Sequence, residues 1–144
     1  MKKMSTDLVV VGAGPAGIEA AVAASQNGLK VVLLDSYSLP GGQYYKQLPR
    51  EFKSELATDL EQEGAEHISK IDSDQVAYYS DTLVWGAFPS DDPDGWLLGV
   101  YGPDAPRQIE TKAVILASGA YDTPVPFPGW TLPGVLTAGA GQIM

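Results

Sequence analysis

The hydrophobic positions of the first 34 residues predict a strand, a helix and a second strand. Residues 8–11, Leu-Val-Val-Val, form an unbroken apolar run that is typical of a strand buried on both faces. Residues 18–25 are rich in alanine, a strong helix former, and Asn27 with Gly28 signals the end of the helix. Residues 31–34 are a second apolar run. A crossover this short predicts a parallel strand pair in a right-handed βαβ unit.

Beyond residue 50 the pattern is first helical and then changes to a period of two. Phe52, Leu56 and Leu60 recur at every fourth position and predict a polar helix over residues 51–64. Four alternating segments follow, separated by turn signals; they read QVAYYSD, TLVWGAF, GWLLGVYG and RQIE. We interpret them as an inserted antiparallel β-meander over about 75–110.

The last third of the chain predicts one more strand and then a long loop. The segment AVILA at residues 113–117 predicts a buried parallel strand that ends at Ser118 and Gly119. Four prolines between residues 124 and 133 predict an ordered or extended loop rather than a helix. The residues from Thr137 onward predict a helix that has barely begun at Met144, so we expect the chain to be a fragment of a longer protein.

Composition narrows the class of protein. A length of 144 residues is enough for one domain with a core, and a net charge of −9 argues against nucleic acid as the main partner. The chain has no cysteine, which excludes disulfides, thiolate metal sites and a dithiol redox centre within it. With a single histidine, His67, we predict no metal site. The composition fits a reducing compartment, and we expect a cytoplasmic protein without a transmembrane segment.

Two polar features are interpreted as surface structure. His67 follows the predicted helix, beside Glu63 and Glu66, and is interpreted as a solvated residue rather than a base. The segment SDDPDG lacks the spacing of a calcium loop and is interpreted as a solvated hairpin turn.

A phosphate-binding fingerprint follows the first predicted strand. Gly12, Gly14 and Gly17 form G-x-G-x-x-G at the start of the predicted helix, and Asp35 ends the second predicted strand. The first glycine permits the tight turn, the second lets the backbone reach a pyrophosphate, and the third lets helix and strand pack closely. Asp35 can accept hydrogen bonds from both ribose hydroxyls of a nucleotide and would repel a 2′-phosphate. FAD or NAD is therefore favoured over NADP.

The insertion between the second and the last parallel strand resembles the FAD domain of flavoproteins with two dinucleotide-binding domains, the glutathione-reductase-like fold. The resemblance implies an α/β, Rossmann-like FAD-binding domain with an inserted antiparallel β-meander. It also implies that Ala117-Ser118-Gly119 stands where these proteins have an Ala-Thr-Gly turn against the flavin nucleotide. The glycine pair Gly41-Gly42 would lie beside the flavin pyrophosphate, with Gln43 toward the flavin.

The disulfide reductases of this fold carry their redox-active cysteine pair just after this glycine pair. This chain has Gln43-Tyr44-Tyr45 there, so the resemblance implies direct hydride exchange with a small substrate or a second electron carrier, without a dithiol relay. For the two tyrosines, packing is favoured over contact with the flavin, because aromatic side chains mostly fill cores.

Four segments resemble one particular family: VGAGPAG, PGGQYYKQLP, TLVWGAF and ILASGAYDTPVPFPGWTLPGVLTAGAGQ. They are similar to the FAD-binding α subunits of the bacterial opine oxidases, hydrogen cyanide synthase and the proline or hydroxyproline dehydrogenases, and to part of the sarcosine oxidase α subunit. The resemblance implies an FAD-dependent oxidoreductase acting on CH–NH or CH–NH2 donors, with hydride passing to the flavin from a substrate C–H next to nitrogen. It implies an amine or amino-acid substrate and other subunits in a hetero-oligomer.

We therefore expect residues 1–144 to be the N-terminal part of an FAD/NAD(P)-binding domain, with a second nucleotide-binding domain absent from this chain. NAD(P), a second flavin or an iron–sulfur centre would belong to that missing part or to a partner subunit. No catalytic residue is assigned. The predicted cofactor-binding residues are Gly12, Ala13, Gly14, Pro15, Ala16, Gly17, Asp35, Ser36, Gly41, Gly42, Gln43, Ala117, Ser118 and Gly119.

Two alternatives stay open. One is an NAD(P)H-dependent flavoprotein reductase of the same fold, which would pass electrons to a protein acceptor. The other is a truncated, inactive binding module.

Overall fold

The computed structural model describes residues 3–47, 58–71 and 75–143. Within these ranges the chain forms a mixed sheet of six strands in the order β3-β2-β1-β6-β5-β4, together with three helices. In chain order the elements are β1 Lys3–Val11, α1 Pro15–Gln26, β2 Val31–Leu34, α2 Asp59–Ser69, β3 Val76–Tyr79, β4 Leu83–Pro89, β5 Trp96–Tyr101, β6 Gln108–Leu116 and α3 Ala138–Ile143.

The predicted parallel βαβ unit is confirmed. β1 pairs in parallel with β2, from Leu8 opposite Val31 to Val11 opposite Leu34. Because side chains alternate across a strand, Leu8 and Val10 face the helix side of the sheet. There they join a buried cluster with Ile18 of α1. This packing holds the start of α1 at the carboxyl end of β1.

The predicted meander is partly wrong. Its first segment is β3, which pairs in parallel with β2 in the main sheet. Its last segment, RQIE, is not a strand of its own, because it continues without a turn into AVILA as the nine-residue strand β6. Only β4, β5 and the first half of β6 form an antiparallel meander. A period of two identifies a strand but not its partner, so the pattern could not distinguish these arrangements.

The predicted burial of residues 113–117 is also wrong. The β5–β6 register ends at Trp96 opposite Thr111, whereas β1 continues to pair with β6 up to Leu116. The second half of β6 therefore has a strand on one side only, among the residues that the structure describes. Ile115 is exposed there, and Leu116 is 77% exposed.

Helix α2 differs from its predicted bounds. Residues 51–57 of the predicted helix lie outside the described ranges. The observed helix starts at Asp59 behind a capping box formed by Thr58 and Glu61, and it ends five residues later than expected, at Ser69. Gly64 is not a stop signal, because it lies buried within the helix against the side chain of Tyr45.

Three further predictions of local structure are confirmed. Residues 90–95 form the turn between β4 and β5, residues 121–135 contain no helix or strand, and a short helix begins at Ala138. Across the three described ranges, none of the helices combines the length and the apolar content that crossing a bilayer requires.

Candidate functional site

A cleft of about 440 Å³ opens at the carboxyl ends of β1, β2 and β6. From β1 the chain continues to β2, which lies on one side of β1 in the sheet. It later returns through β6, which lies on the other side of β1. Such a reversal of strand order is where open α/β sheets bind ligands. The lining includes the predicted residues Gly12, Gly14, Pro15, Ala16, Asp35, Ser36, Gly42, Gln43, Ala117, Ser118 and Gly119.

The other three predicted residues lie behind this lining. Ala13 is fully buried, and its N–H donates to Asp35 Oδ2 at 2.6 Å. The N–H of Gly41 donates to the carbonyl of Ala13 at 2.7 Å, which ties the glycine-pair loop to the turn after β1. Gly17 is buried in the first turns of α1. These residues shape the cleft without facing it.

Three glycines in or directly behind the cleft lining are required by backbone packing. A Cβ added at Gly17 would overlap the carbonyl oxygen of Gly12, and one added at Gly12 would overlap the carbonyl oxygen of Ala117. Gly42 has a positive φ of 62°, and its added Cβ would lie 2.9 Å from the Cα of Gly14. The turn, α1 and the glycine-pair loop are thus in direct backbone contact, and larger residues would separate them.

Gly14 differs from those three glycines. An added Cβ would have only the Cα of Gly42 within 4 Å, at 3.8 Å. The space beside its backbone is therefore open toward the cleft. A ligand can come as close to this backbone as the fingerprint requires.

The amino end of α1 suits an anion. Gly14 is the N-cap residue and provides no side-chain cap, Pro15 begins the helix, and the first turn contains no acidic residue. The first N–H groups of a helix lack partners within the helix and carry partial positive charge. A phosphate at this position would accept hydrogen bonds from these groups.

Asp35 is held firmly at the carboxyl end of β2. Its side chain is 6% exposed, and each carboxylate oxygen accepts one backbone hydrogen bond. The donors are Ala13 N–H to Oδ2 at 2.6 Å and Tyr37 N–H to Oδ1 at 2.8 Å. Because a carboxylate offers about four acceptor positions, it retains capacity for hydroxyl donors from the cleft.

The two tyrosines after the glycine pair have different positions. The packing predicted for Tyr44 is wrong, because this residue is half exposed and lines the cleft with Gln43. Tyr45 is buried, as predicted, and its hydroxyl donates to Glu63 Oε1 of α2 at 2.6 Å. This hydrogen bond is the main cause that raises the pKa of Tyr45 to about 12. Tyr45 thus joins the loop to α2.

The predicted solvation of His67 is wrong. His67 lies on α2, with 24% of its side chain exposed, and its ring stacks on Tyr45 at a centroid distance of 5.2 Å. Its Nδ1 lies 2.7 Å from Glu19 Oε1 of α1, as a close approach rather than an aligned hydrogen bond. Lys70 Nζ lies 2.8 Å from the same oxygen, and its hydrogen bond is the main cause that lowers the pKa of Glu19. The prediction for His67 is wrong because the predicted helix ends at Gly64, whereas α2 continues to Ser69 and includes His67.

Sequence reasoning missed several residues of the cleft. Tyr37 and Tyr121 line it, and their hydroxyl oxygens are 2.9 Å apart. Each lies two residues beyond a predicted site residue, Asp35 or Gly119, so their places after strand ends were a usable signal. Residues 82–84 also line the cleft. No signal identified them, because their position depends on the unexpected pairing of β3 with β2.

Residues 7–88 match the family model of FAD dependent oxidoreductases, which is more than half of the chain. The chain therefore belongs to the family of FAD-dependent oxidoreductases. The cofactor class expected from the fingerprint and the resemblance is confirmed.

Within this family the chain is similar to an opine oxidase subunit from Agrobacterium tumefaciens (strain Ach5), with 43% identity over 95% of this chain and 28% of that protein. It is 32% identical to hydrogen cyanide synthase subunit HcnB of Pseudomonas protegens, over 97% of this chain and 30% of that protein. The crystal structure of L-proline dehydrogenase from P. horikoshii matches with a TM-score of 0.70 and 27% identity, over 86% of this chain and 24% of that one.

The resemblance drawn from the sequence motifs is confirmed by these relatives. The relatives in the first two comparisons are subunits by name. The chain spans less than a third of the length of each of the three proteins.

Proposed function

We propose that this chain forms the FAD-binding part of a dehydrogenase or oxidase that oxidises a carbon–nitrogen bond in an amino acid or secondary amine. The observation that carries the proposal is one cleft in which an uncapped helix N-terminus and the buried carboxylate of Asp35 meet at the ends of adjacent parallel strands. The substrate class is supported by the relatives, which are named for opines and L-proline.

In this proposal each side of the cleft holds a different part of the dinucleotide. Gly12, Gly14 and the first turn of α1 bind the pyrophosphate through backbone N–H groups. Asp35 accepts from ribose hydroxyls. Gly42 and Gln43 on one side, and Ala117 to Gly119 on the other, border the rest of the ligand.

FAD, when bound, supplies the capacity to accept a hydride from a C–H next to nitrogen. The described residues of this chain bind and orient it. None of them is assigned as a catalytic residue. We further propose that the protein works in the cytoplasm with other subunits in a hetero-oligomer. The subunit names of the relatives support this assembly, and the cysteine-free sequence fits the compartment.

The first test measures which nucleotide the chain prefers. Flavin fluorescence titrations compare FAD with FMN, which lacks the adenosine half, in the wild-type chain and in Asp35→Asn. We expect FAD to bind more tightly than FMN. The substitution should weaken FAD binding about tenfold, the lower end for one hydrogen bond to a charged group, and leave FMN binding unchanged.

Asp104→Asn is the matched control, because Asp104 is exposed and is not part of the cleft lining. Circular dichroism of each variant verifies that the fold is retained, since Asp35 also accepts two backbone hydrogen bonds. Equal affinity for FAD and FMN in the folded wild-type chain would contradict the proposed site.

The second test addresses the substrate class. The full-length polypeptide, with its subunits, is mixed without oxygen with an opine, with sarcosine or with L-proline, and the visible absorbance of the flavin is followed. We expect at least one of these amines to reduce the flavin and so to lower its visible absorbance. The control 2-aminoisobutyrate, which has no hydrogen on the carbon next to nitrogen, should have no effect. Bleaching by NADH alone would instead favour the flavoprotein reductase alternative.

A further inference from the structure

Tyr37 and Tyr121 approach each other from opposite sides of β1. Tyr37 follows β2, and Tyr121 follows β6. Their hydroxyl oxygens are 2.9 Å apart although the residues are 84 positions apart in the chain. We propose that this pair forms a strap across the mouth of the cleft, and that the strap slows the entry and release of the dinucleotide. This inference rests on the proposed function.

The topology places the strap above the phosphate-binding turn. β2 and β6 are the two neighbours of β1, and adjacent strands are about 4.8 Å apart, so β2 and β6 are separated by roughly 10 Å. A hydrogen bond between side chains that follow these two strands therefore passes over the carboxyl end of β1. The turn that begins at Gly12 lies there. Both tyrosines line the cleft, so the strap is part of its mouth.

The two ends of the strap differ in how firmly they are held. The backbone of Tyr37 is fixed twice, because its N–H donates to Asp35 Oδ1 at 2.8 Å and its carbonyl accepts from Asp81 N–H at 3.1 Å. Tyr121 is 70% exposed and lies in a segment without helix or strand. Tyr37 is therefore the more firmly held end of the strap, and Tyr121 is the end with fewer restraints.

The hydrogen bond between Tyr37 and Tyr121 is strong enough to favour a closed mouth of the cleft and weak enough to break. It joins two neutral, exposed hydroxyl groups, which water can also satisfy, so breaking it costs little. The same hydrogen bond is the main cause that raises the pKa of Tyr121. Gln43 Nε2 lies 3.5 Å from the Tyr37 hydroxyl, at the limit of hydrogen bonding. A ligand held by Asp35 and by the turn would lie beneath the strap, so the bond between the two tyrosines has to open before the ligand enters or leaves.

The test compares FAD binding rates in wild type, Tyr37→Phe, Tyr121→Phe and the double variant by stopped-flow fluorescence. Phenylalanine keeps the ring and removes only the hydroxyl. We expect the association and dissociation rate constants both to rise about threefold to tenfold, the range set by one net hydrogen bond. The dissociation constant should change less than either rate. The double variant should equal the single ones, because both remove the same bond. Tyr101→Phe is the control, since Tyr101 is exposed on β5 and lies outside the cleft lining.

Two results would overturn the strap. Rates that match those of Tyr101→Phe would show that the bond does not restrict the mouth. A faster dissociation with an unchanged association would show that the hydroxyls contact the ligand directly.

A measurement without FAD separates the strap from the proposed function. Tyrosine ring carbons labelled with ¹³C are titrated by NMR, and Tyr37→Phe should lower the pKa of Tyr121 toward the ordinary value of a phenol. An unchanged Tyr121 pKa would overturn the strap whatever the ligand does. A different result is that Tyr37→Phe lowers the Tyr121 pKa as expected while the wild-type chain binds no FAD. That result would overturn the proposed function and with it the retaining role of the strap.

Discussion

The two walls of the cleft are built in opposite ways. The turn wall consists of residues 12–17 with Gly41 and Gly42, and the tail wall consists of residues 117–121. On the turn wall, side chains added at Gly12, Gly17 or Gly42 would meet backbone atoms. On the tail wall, a Cβ added at Gly119 would meet nothing within 4 Å, and residues 118–121 are exposed.

The turn wall is rigidly packed and the tail wall is not, so we expect the two walls to contribute differently to binding. The turn wall presents N–H groups whose positions are fixed by close packing. A phosphate bound there, as proposed, would require little reorganisation of the turn wall. The tail wall has room to change its shape. Tyr121, the less restrained end of the strap, lies on it.

The largest effect is expected from Gly17→Ala on the turn wall. The new methyl group would overlap the carbonyl oxygen of Gly12, which is backbone and cannot rotate away, so α1 must shift off the turn. Overpacking of this kind costs about 3 kcal/mol at the upper end of its usual range. Urea unfolding measures the loss. Gly141→Ala is the control, because nothing lies within 4 Å of its added Cβ, and we expect no loss of stability there. A Gly17→Ala chain as stable as wild type would mean that the turn wall is not tightly packed.

A smaller effect is expected from Gly119→Ala on the tail wall. The added methyl group has open space, but the backbone has a φ of 70°, which alanine adopts at a cost of roughly 1 kcal/mol. The same urea experiment measures it. A loss as large as that of Gly17→Ala would remove the distinction between the two walls.

The sequence predicted the turn wall well because its signals are local. Three glycines at fixed spacing, an apolar strand before them and an acidic residue after the next strand all lie within 35 residues. Their contacts follow from one βαβ unit. Asp35 and Gly17 therefore lie where the fingerprint placed them.

The tail wall and its surroundings depend on pairing partners, which a single sequence does not specify. The alternation in QVAYYSD identified a strand but not its parallel partner β2, and hence not the cleft position of residues 82–84. The apolar segment AVILA suggested burial, but β5 covers only the first half of β6. The hydroxyl pair of Tyr37 and Tyr121 joins residues 84 positions apart, beyond any local pattern.

The smallest effect is expected from Tyr45→Phe, which tests how the turn wall is supported from outside. The substitution removes the hydrogen bond to Glu63 and keeps the ring that packs against Gly64 and His67. In the folded chain this bond raises the pKa of Tyr45 from 10.0 to about 12, so the phenol stays neutral to a higher pH than in the unfolded chain. Its stabilisation is therefore complete below pH 10 and is lost as the pH rises toward 12.

The free energy of unfolding of wild type should thus exceed that of Tyr45→Phe at neutral pH, and the difference should shrink between pH 10 and 12. Tyr44→Phe is the matched control, because its ring is next in the chain and faces the cleft. It should show no such dependence on pH. A constant difference for Tyr45→Phe across this range would mean that the ring alone, and not the bond to Glu63, braces the turn wall against α2.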